Sequence, residues 1–370
     1  MLLESIEAFN LSIPFKIAFK HASAERKVTQ TLWVTSHAKN GAIGFGEGCP
    51  REYVSSENLA SAHAFFALHL QEWLTTFTNI ESVTDWINRH SADIDTNPAA
   101  WTAVELSLLD LLGKEENRSV ESLLGLPSLT GDFYYTAVLG DASPQQFEAQ
   151  LNHYIQAGFQ QFKIKLSGHY ERDLAKVQAL KSAGIMPNAV RADANNAWVN
   201  ADEAIMYLKR LSFDFFALEE PLQAGDIVGM HRIAMELNTR IILDESVLRI
   251  NQLAPLLTSS DCWIINVRIS KMGGLLRSLA FINEARACGL RVIIGAHVGE
   301  SSLLTRAALV IAINSRDILL AQEGAFGTHL LMYDVVEPSC MFGAGGILKS
   351  ATYSFADAPG FGLMIQNKHT

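Results

Sequence analysis

The rhythm of hydrophobic and polar positions changes near Tyr134. Before it, two long runs, LLESIEAFNLSI and TQTLWVTSHAKNGAIGFGEG, read as strands. Lys39-Asn40-Gly41, set between two apolar runs, predicts a hairpin turn. ENLASAHAFFALHLQEWLTTF and AAWTAVELSLLDLLGKE then carry apolar residues three and four apart, which is the helical period. Asn97-Pro98 supplies a start signal for the second of these helices. Residues 1–130 are therefore expected to form an α+β unit.

From Tyr134 onward, short apolar runs alternate with amphipathic helices. Strands are expected at YTAVLG, QFKIKL, AVRADA, FFALEE, RIILDE, CWIINVRI, RVIIGAH and ILLAQE, with helices such as RDLAKVQALKSAG and LLRSLAFINEARACG between them. Eight strand–helix repeats over residues 131–325 predict an α/β fold, a (β/α)₈ barrel rather than an open sheet. The glycine-rich segment 326–370 is expected to return to the first unit and complete it.

Composition narrows the function. The 370-residue chain is long enough for a barrel with an appended domain. Its 29 Lys and Arg against 39 Asp and Glu give a net charge of −10, which argues against a nucleic-acid partner. No apolar run reaches the roughly 18 residues of a membrane span, so no membrane partner is expected. The start, MLLESIEAFNLSIPF, has no basic leader, and a cytoplasmic location is expected. Cys49, Cys262, Cys288 and Cys340 are scattered outside any zinc spacing and read as buried free thiols.

The chemistry-bearing residues fall at the ends of the expected barrel strands, where barrel active sites are built. They are Lys163 and Lys165, Asp193, Glu219, Asp244 and Arg268. From Lys165 onward the steps are 28, 26, 25 and 24 residues, one strand–helix unit each. Three carboxylates on adjacent strands would repel one another unless a cation neutralised them. Hard oxygen ligands without Cys or a nearby His favour Mg²⁺, with Mn²⁺ as a substitute. The bland alternative is three unrelated carboxylates, each capping the next helix. Lys163 and Lys165 stand two apart on a strand and so share a face.

These motifs resemble those of the enolase superfamily, in particular its mandelate racemase and muconate lactonizing enzyme branch. The matching pieces are Lys163-x-Lys165, Asp193-x-Asn195, Glu219-Glu220-Pro221, Asp244-Glu245-Ser246 and Lys271-x-Gly273-Gly274. In the first unit, GFGEG and AAWTAVELSLLDLLGKE match the same pattern. The resemblance implies a capping domain over the barrel and Mg²⁺ on Asp193, Glu219 and Asp244, with Asn195, Glu220 and Glu245 standing behind them. It implies removal of a proton α to a carboxylate, with Lys165 as acid/base and Lys163 as its electrostatic partner. An isomerase is expected, a cycloisomerase or an epimerase or racemase of a small carboxylate or amino-acid derivative, working as a homo-oligomer. A lyase acting by syn elimination and a non-catalytic carboxylate-binding relative are the alternatives. A Schiff-base aldolase using Lys165 would leave the three carboxylates without a purpose.

The chain departs from the pattern at one position. Relatives that work on both substrate faces keep a second lysine where this chain has Arg268. Arginine stays protonated, so it is a poor base and a good clamp for oxygen. Lys271, three residues on, is the candidate replacement. His297 and Glu300 after the seventh strand, and Glu323 after the eighth, are candidate substrate contacts. His21 and Arg26, and then Arg51 and Tyr53, are candidates on two loops of the first unit expected to close over the mouth.

Overall fold

The computed structural model describes residues 2–21, 24–355 and 358–366. The capping unit begins with a meander, β1 (Leu3–Leu11), β4 (Thr31–Ala38) and β5 (Ile43–Gly48), antiparallel in the order β1-β4-β5. A separate two-stranded sheet pairs β2 (Pro14–His21) antiparallel with β3 (Ala24–Val28). The turn between β4 and β5 falls where Lys39-Asn40-Gly41 predicts it. Six helices follow: α1 (Glu52–Ser55), α2 (Leu59–Thr76), α3 (Ile80–Arg89), α4 (Ser91–Thr96), α5 (Pro98–Glu116) and α6 (Val120–Leu123).

Helix α5 is buried along almost its whole length, which explains why its sequence is apolar on every side. It lies against β5 through Gly44, Gly46 and Gly48. These three glycines alternate and so share one face of the strand. A Cβ on them would come within 1.9–2.1 Å of the backbone oxygens of Ser107, Ala103 and Ala99. The glycines of GFGEG are therefore the contact surface for a helix backbone.

After the short β6 (Asp132–Tyr134), eight parallel strands run in sequence order around the barrel: β7 (Ala137–Leu139), β8 (Phe162–Lys165), β9 (Val190–Asp193), β10 (Ala217–Glu219), β11 (Arg240–Leu243), β12 (Trp263–Val267), β13 (Arg291–Ile294) and β14 (Leu319–Gln322). All eight coincide with the strands expected from the apolar runs. The ring closes where Thr136 N donates to Gln322 O at 2.9 Å. Ala217, Ile242, Ile264, Ile293 and Ala321 fill its interior. The helices between are α7 (Pro144–Gln156), α8 (Tyr170–Ser182), α9 (Ala201–Leu211), α10 (Ile227–Leu237), α11 (Ile269–Met272), α12 (Leu275–Ala287) and α13 (Ser302–Asn314). The last strand, β15 (Ile347–Lys349), pairs with β6. The C-terminal segment touches both units: Phe361 N donates to Asp110 of α5, and Phe361 O accepts from Arg306 of α13.

Buried carboxylates of the capping unit sit on the starts of barrel helices. Glu47 of β5 accepts from Ser301 N at 2.8 Å and Leu304 N at 3.2 Å, at the start of α13. Glu105 of α5 accepts from Leu276 N at 3.0 Å, at the start of α12. Each satisfies donors that a helix leaves open. Burial pushes both carboxyl groups up to about 7.

Arg306 holds Glu121 with two contacts, 2.7 and 2.9 Å, both side chains fully buried. Removing one partner strands the other charge, so Glu121→Ala is expected to destabilise the chain by about 3–5 kcal/mol. Denaturant unfolding would show this as a lowered midpoint, and a shift below about 1 kcal/mol would refute the assignment. Cys49 and Cys340 are buried as expected, whereas Cys262 and Cys288 are partly exposed. Among the described residues no helix is long and apolar enough to cross a membrane.

Candidate active site

Strand register decides which residues meet at the barrel mouth. Lys165 pairs laterally with Asp193, and Asp193 with Glu219. Glu219 pairs with Ile242, so Asp244 lies two residues further along the next strand, on the same face. Leu243 pairs with Ile265, which puts Asn266 level with Asp244 and Arg268 two residues beyond it. The inward face thus carries Lys163, Lys165, Asp193, Glu219, Asp244 and Arg268 around one opening. All six side chains are at most about a tenth exposed.

Opposite charges interlock there. Lys163 Nζ lies 2.5 Å from Glu219, 3.1 Å from Glu323 and 3.4 Å from Asp193. Lys165 Nζ donates to Asp193 at 3.3 Å and to Asn195 Oδ1 at 2.9 Å. Arg268 lies 2.5 Å from Asp244 and 3.6 Å from Glu219. Burial opposes the charge on Lys163, but Glu219, Glu323 and Asp193 outweigh it and hold the ammonium protonated. Arg268 is likewise held charged, against its burial, chiefly by Asp244 and then by Glu219. Burial works to raise Asp193, yet Lys165, Lys163 and Arg268 bring it below the ordinary carboxylate range. Glu219 goes the other way: burial pushes it up to about 7 against the pull of Lys163.

The residues behind this ring fix its geometry. Glu220 has a left-handed backbone, φ +40°, which a side chain adopts only where the surroundings enforce it. Its carboxylate accepts from Asp244 N at 2.6 Å, Ser246 N at 2.8 Å and Ser246 Oγ at 2.7 Å. These bonds set the turn that presents Asp244. Asn195 is also left-handed, φ +46°, and its N–H donates to Asp193 Oδ1 at 3.1 Å. Asn266 donates to Glu219 Oε1 at 3.1 Å. Glu245 lines the opening, and burial followed by the charges of Asp244 and Glu220 pushes it up to about 9.

The trio suits a small dication. Its donors are six carboxylate oxygens on neighbouring strands, which is hard-ligand chemistry. Glu219 Oε2 is buried and makes no hydrogen bond of proper geometry, although Lys163 stands beside it.

A cavity of ≈ 290 Å³ opens above the ring. Lys163, Lys165, Asp193, Asp244, Arg268 and Glu323 line its charged side, and Val138, Ala296, Val298, Ala325, Phe326 and Leu330 its apolar side. Tyr53 reaches it from the capping unit, and His297 and Glu300 from the turn after β13. His297 Nδ1 bonds to Cys49 O at 3.0 Å, while its buried Nε2 has no partner. Burial, followed by Arg268 and Arg51, holds the imidazole well below its ordinary value, and so neutral. Glu300 accepts from His297 N at 2.6 Å, and burial raises it to about 8. Glu323 is held by Lys163 and, at 3.2 Å, by Arg191, a partner that the sequence alone does not suggest.

Three expected site residues lie elsewhere. Lys271 does not enter the mouth. The short α11 turns it back into the protein, where its fully buried Nζ donates to the carbonyls of Asp244, Val247 and Asn266 and to Asp244 Oδ1 at 3.1 Å. It fastens the ends of two strands. Arg51 is buried under the mouth and donates to the carbonyls of Gln30, Pro50 and Val298, joining the capping unit to the turn after β13. Arg26 bonds to Gln30 at 2.9 Å and is not among the cavity residues. The His21 side chain lies outside the described residues.

A barrel whose second to sixth strands end in Lys-x-Lys, Asp, Glu, Asp and Arg can be compared with known proteins. Residues 146–369, more than half of the chain, match the model of the "Enolase C-terminal domain-like" family. The chain belongs to this family. Its relatives include the N-succinyl-L-Arg/Lys racemase of Bacillus cereus, 24% identical over 86% of each chain. The hydrophobic dipeptide epimerase of Enterococcus faecalis is 25% identical over 88% of this chain and 92% of its own. In three dimensions, that epimerase in complex with Mg and L-Leu-L-Tyr has a TM-score of 0.84 at 24% identity, covering 98% of this chain and 99% of its own. The racemase structure has a TM-score of 0.87 at 23% identity, covering 100% and 97%. These likenesses establish the enolase-superfamily fold, a barrel beneath an N-terminal cap.

Proposed function

We propose that this member of the enolase superfamily is a Mg²⁺-dependent isomerase that withdraws the proton α to the carboxylate of a dipeptide or N-acylamino acid. The observation that carries this reading is the lateral alignment of Lys165, Asp193 and Glu219, continued on the same face by Asp244 and Arg268. The relatives named above support the substrate class, and so does the cavity. Its neutral His297 Nε2 can accept from a substrate N–H, and its apolar side can take a hydrophobic side chain.

Asp193, Glu219 and Asp244 would hold Mg²⁺, with Mn²⁺ expected to substitute. Bound there, the ion supplies fixed positive charge where negative charge grows on the substrate carboxylate. Lys165 takes the α proton from its side of the cavity. Acting as the free amine, its Nζ is aimed by Asn195 and Asp193, and the lone pair takes the proton while Lys163 keeps a permanent charge nearby. Arg268 holds the substrate carboxylate: its Nε is buried without a hydrogen-bond partner, and the residue lines the cavity. Inversion at the α carbon also needs a proton returned to the opposite face, which the arginine there makes slow, whereas cycloisomerisation needs only one proton carrier. So does syn elimination, and this makes a lyase the second reading, favoured by the arginine at position 268.

Proton NMR in D₂O on panels of dipeptides and N-succinylamino acids tests the proposal. The α-proton signal of at least one panel member is expected to vanish with Mg²⁺ present, to persist in EDTA and to vanish again when Mg²⁺ is restored. If Mg²⁺ binds and carboxylates bind but no member exchanges, the chain is a binding relative rather than an enzyme of this class.

A further inference from the structure

Far from the barrel strands in sequence, the capping unit repeats a short pattern. His69 and Glu72 stand one turn apart on α2, and His90 and Asp93 follow 21 residues later, at the α3–α4 junction. The fold brings the two pairs together. His90 Nε2 lies 3.3 Å from Glu72 and His90 Nδ1 lies 3.0 Å from Asp93. His69 Nδ1 lies 3.8 Å from Glu72, and His69 Nε2 lies 4.0 Å from Asp93. One ligand atom each from His69, Glu72 and His90 fits within 4.8 Å of the other two. Donor atoms on a tetrahedral Zn²⁺ stand about 3.4 Å apart, so small side-chain adjustments suffice.

The second observation is His69 itself. Its side chain is 9% exposed, walled by Phe65, Trp73 and Trp86. Yet its buried Nε2 has no hydrogen-bond partner. An ordinary core histidine would have paired that nitrogen. His90 is stacked on Trp86 at 4.3 Å and held through Nδ1 by Asp93, the carboxylate–histidine arrangement that orients a ligating imidazole.

We infer that His69, Glu72 and His90 form a second metal site, for a first-row transition dication such as Zn²⁺, with Asp93 orienting His90. Two imidazoles separate it chemically from the all-oxygen trio of the barrel. The ion would tie α2 to the α3–α4 junction and so stiffen the capping unit.

The test uses the full chain in excess Mg²⁺, titrated with Co²⁺ and with Zn²⁺. One equivalent of Co²⁺ should give the intense visible absorption of a tetrahedral nitrogen-containing site, and one equivalent of Zn²⁺ should bleach it and raise the unfolding temperature. His90→Gln and Glu72→Gln, both at partly exposed positions, should abolish the absorption and the thermal shift. Asp93→Asn should weaken binding by about 10–100-fold. His69→Gln is a secondary test, because its core position can affect folding. Absence of the intense Co²⁺ spectrum from the native chain overturns the inference. So does its persistence in His90→Gln and Glu72→Gln. α-Proton exchange is not part of this readout, so the site and the proposed reaction stand or fall separately.

Discussion

Lys165→Ala is expected to slow α-proton exchange by about 10²–10⁴-fold, the usual contribution of a positioned general base. The three carboxylates keep their other anchors. Asp193 retains the Asn195 N–H, Glu219 retains Asn266, and Asp244 retains Arg268 and Lys271. Mg²⁺ affinity should therefore change little, and calorimetry of the variant separates loss of the base from loss of the metal. Lys163→Ala should behave differently. Its ammonium touches Asp193, Glu219 and Glu323 at once, so both rate and local stability should suffer. Turnover near the native rate in Lys165→Ala would remove the residue from its assigned role.

The second large effect concerns Arg268. Held permanently charged by Asp244 and Glu219, it cannot relay protons near neutral pH. Solvent deuterium is expected to enter substrate with one stereochemistry, and any inversion should be slow compared with exchange. Arg268→Ala would leave Asp244 with Lys271 as its remaining cationic partner and should cost roughly 3–5 kcal/mol of stability together with carboxylate affinity. Arg268→Lys keeps the charge and places an amine at the same position. It is expected to gain exchange from the second face. NMR of both enantiomers in D₂O checks each outcome. Fast, equal exchange of both by the native chain would mean that another residue carries the second proton. Lys271, turned into the protein on α11, is badly placed to be that residue.

The barrel was legible in the sequence because its strands are short apolar runs that recur at the length of one strand–helix unit, and the second to sixth of them end at a charged residue. The inward ring was legible for the same reason: a two-residue period on strands of known phase fixes which side chains share a face. Lys271 was not legible, because it lies one helical turn past the strand, where no such period applies. Nor was the burial of Arg51, two of whose acceptors are the carbonyls of Gln30 and Val298, far away along the chain. The His69, Glu72, His90 and Asp93 group escaped because its members belong to different helices, whose angles no local pattern records. Arg191 escaped because, although level with Lys163, it lies two residues before the end of its own strand at Asp193.

The carboxylates that the capping unit lends to α12 and α13 bear on how such a chain could be rebuilt. A chimera that joined this barrel to another cap would lose Glu47 and Glu105 together, and two helix starts inside the protein would be left with unmatched N–H groups. Exchanging the caps as interchangeable modules should therefore fail unless acidic residues are transplanted with them. By the same logic, heat or denaturant should unfold both regions in a single transition, with no stage at which a folded barrel persists beneath a melted cap.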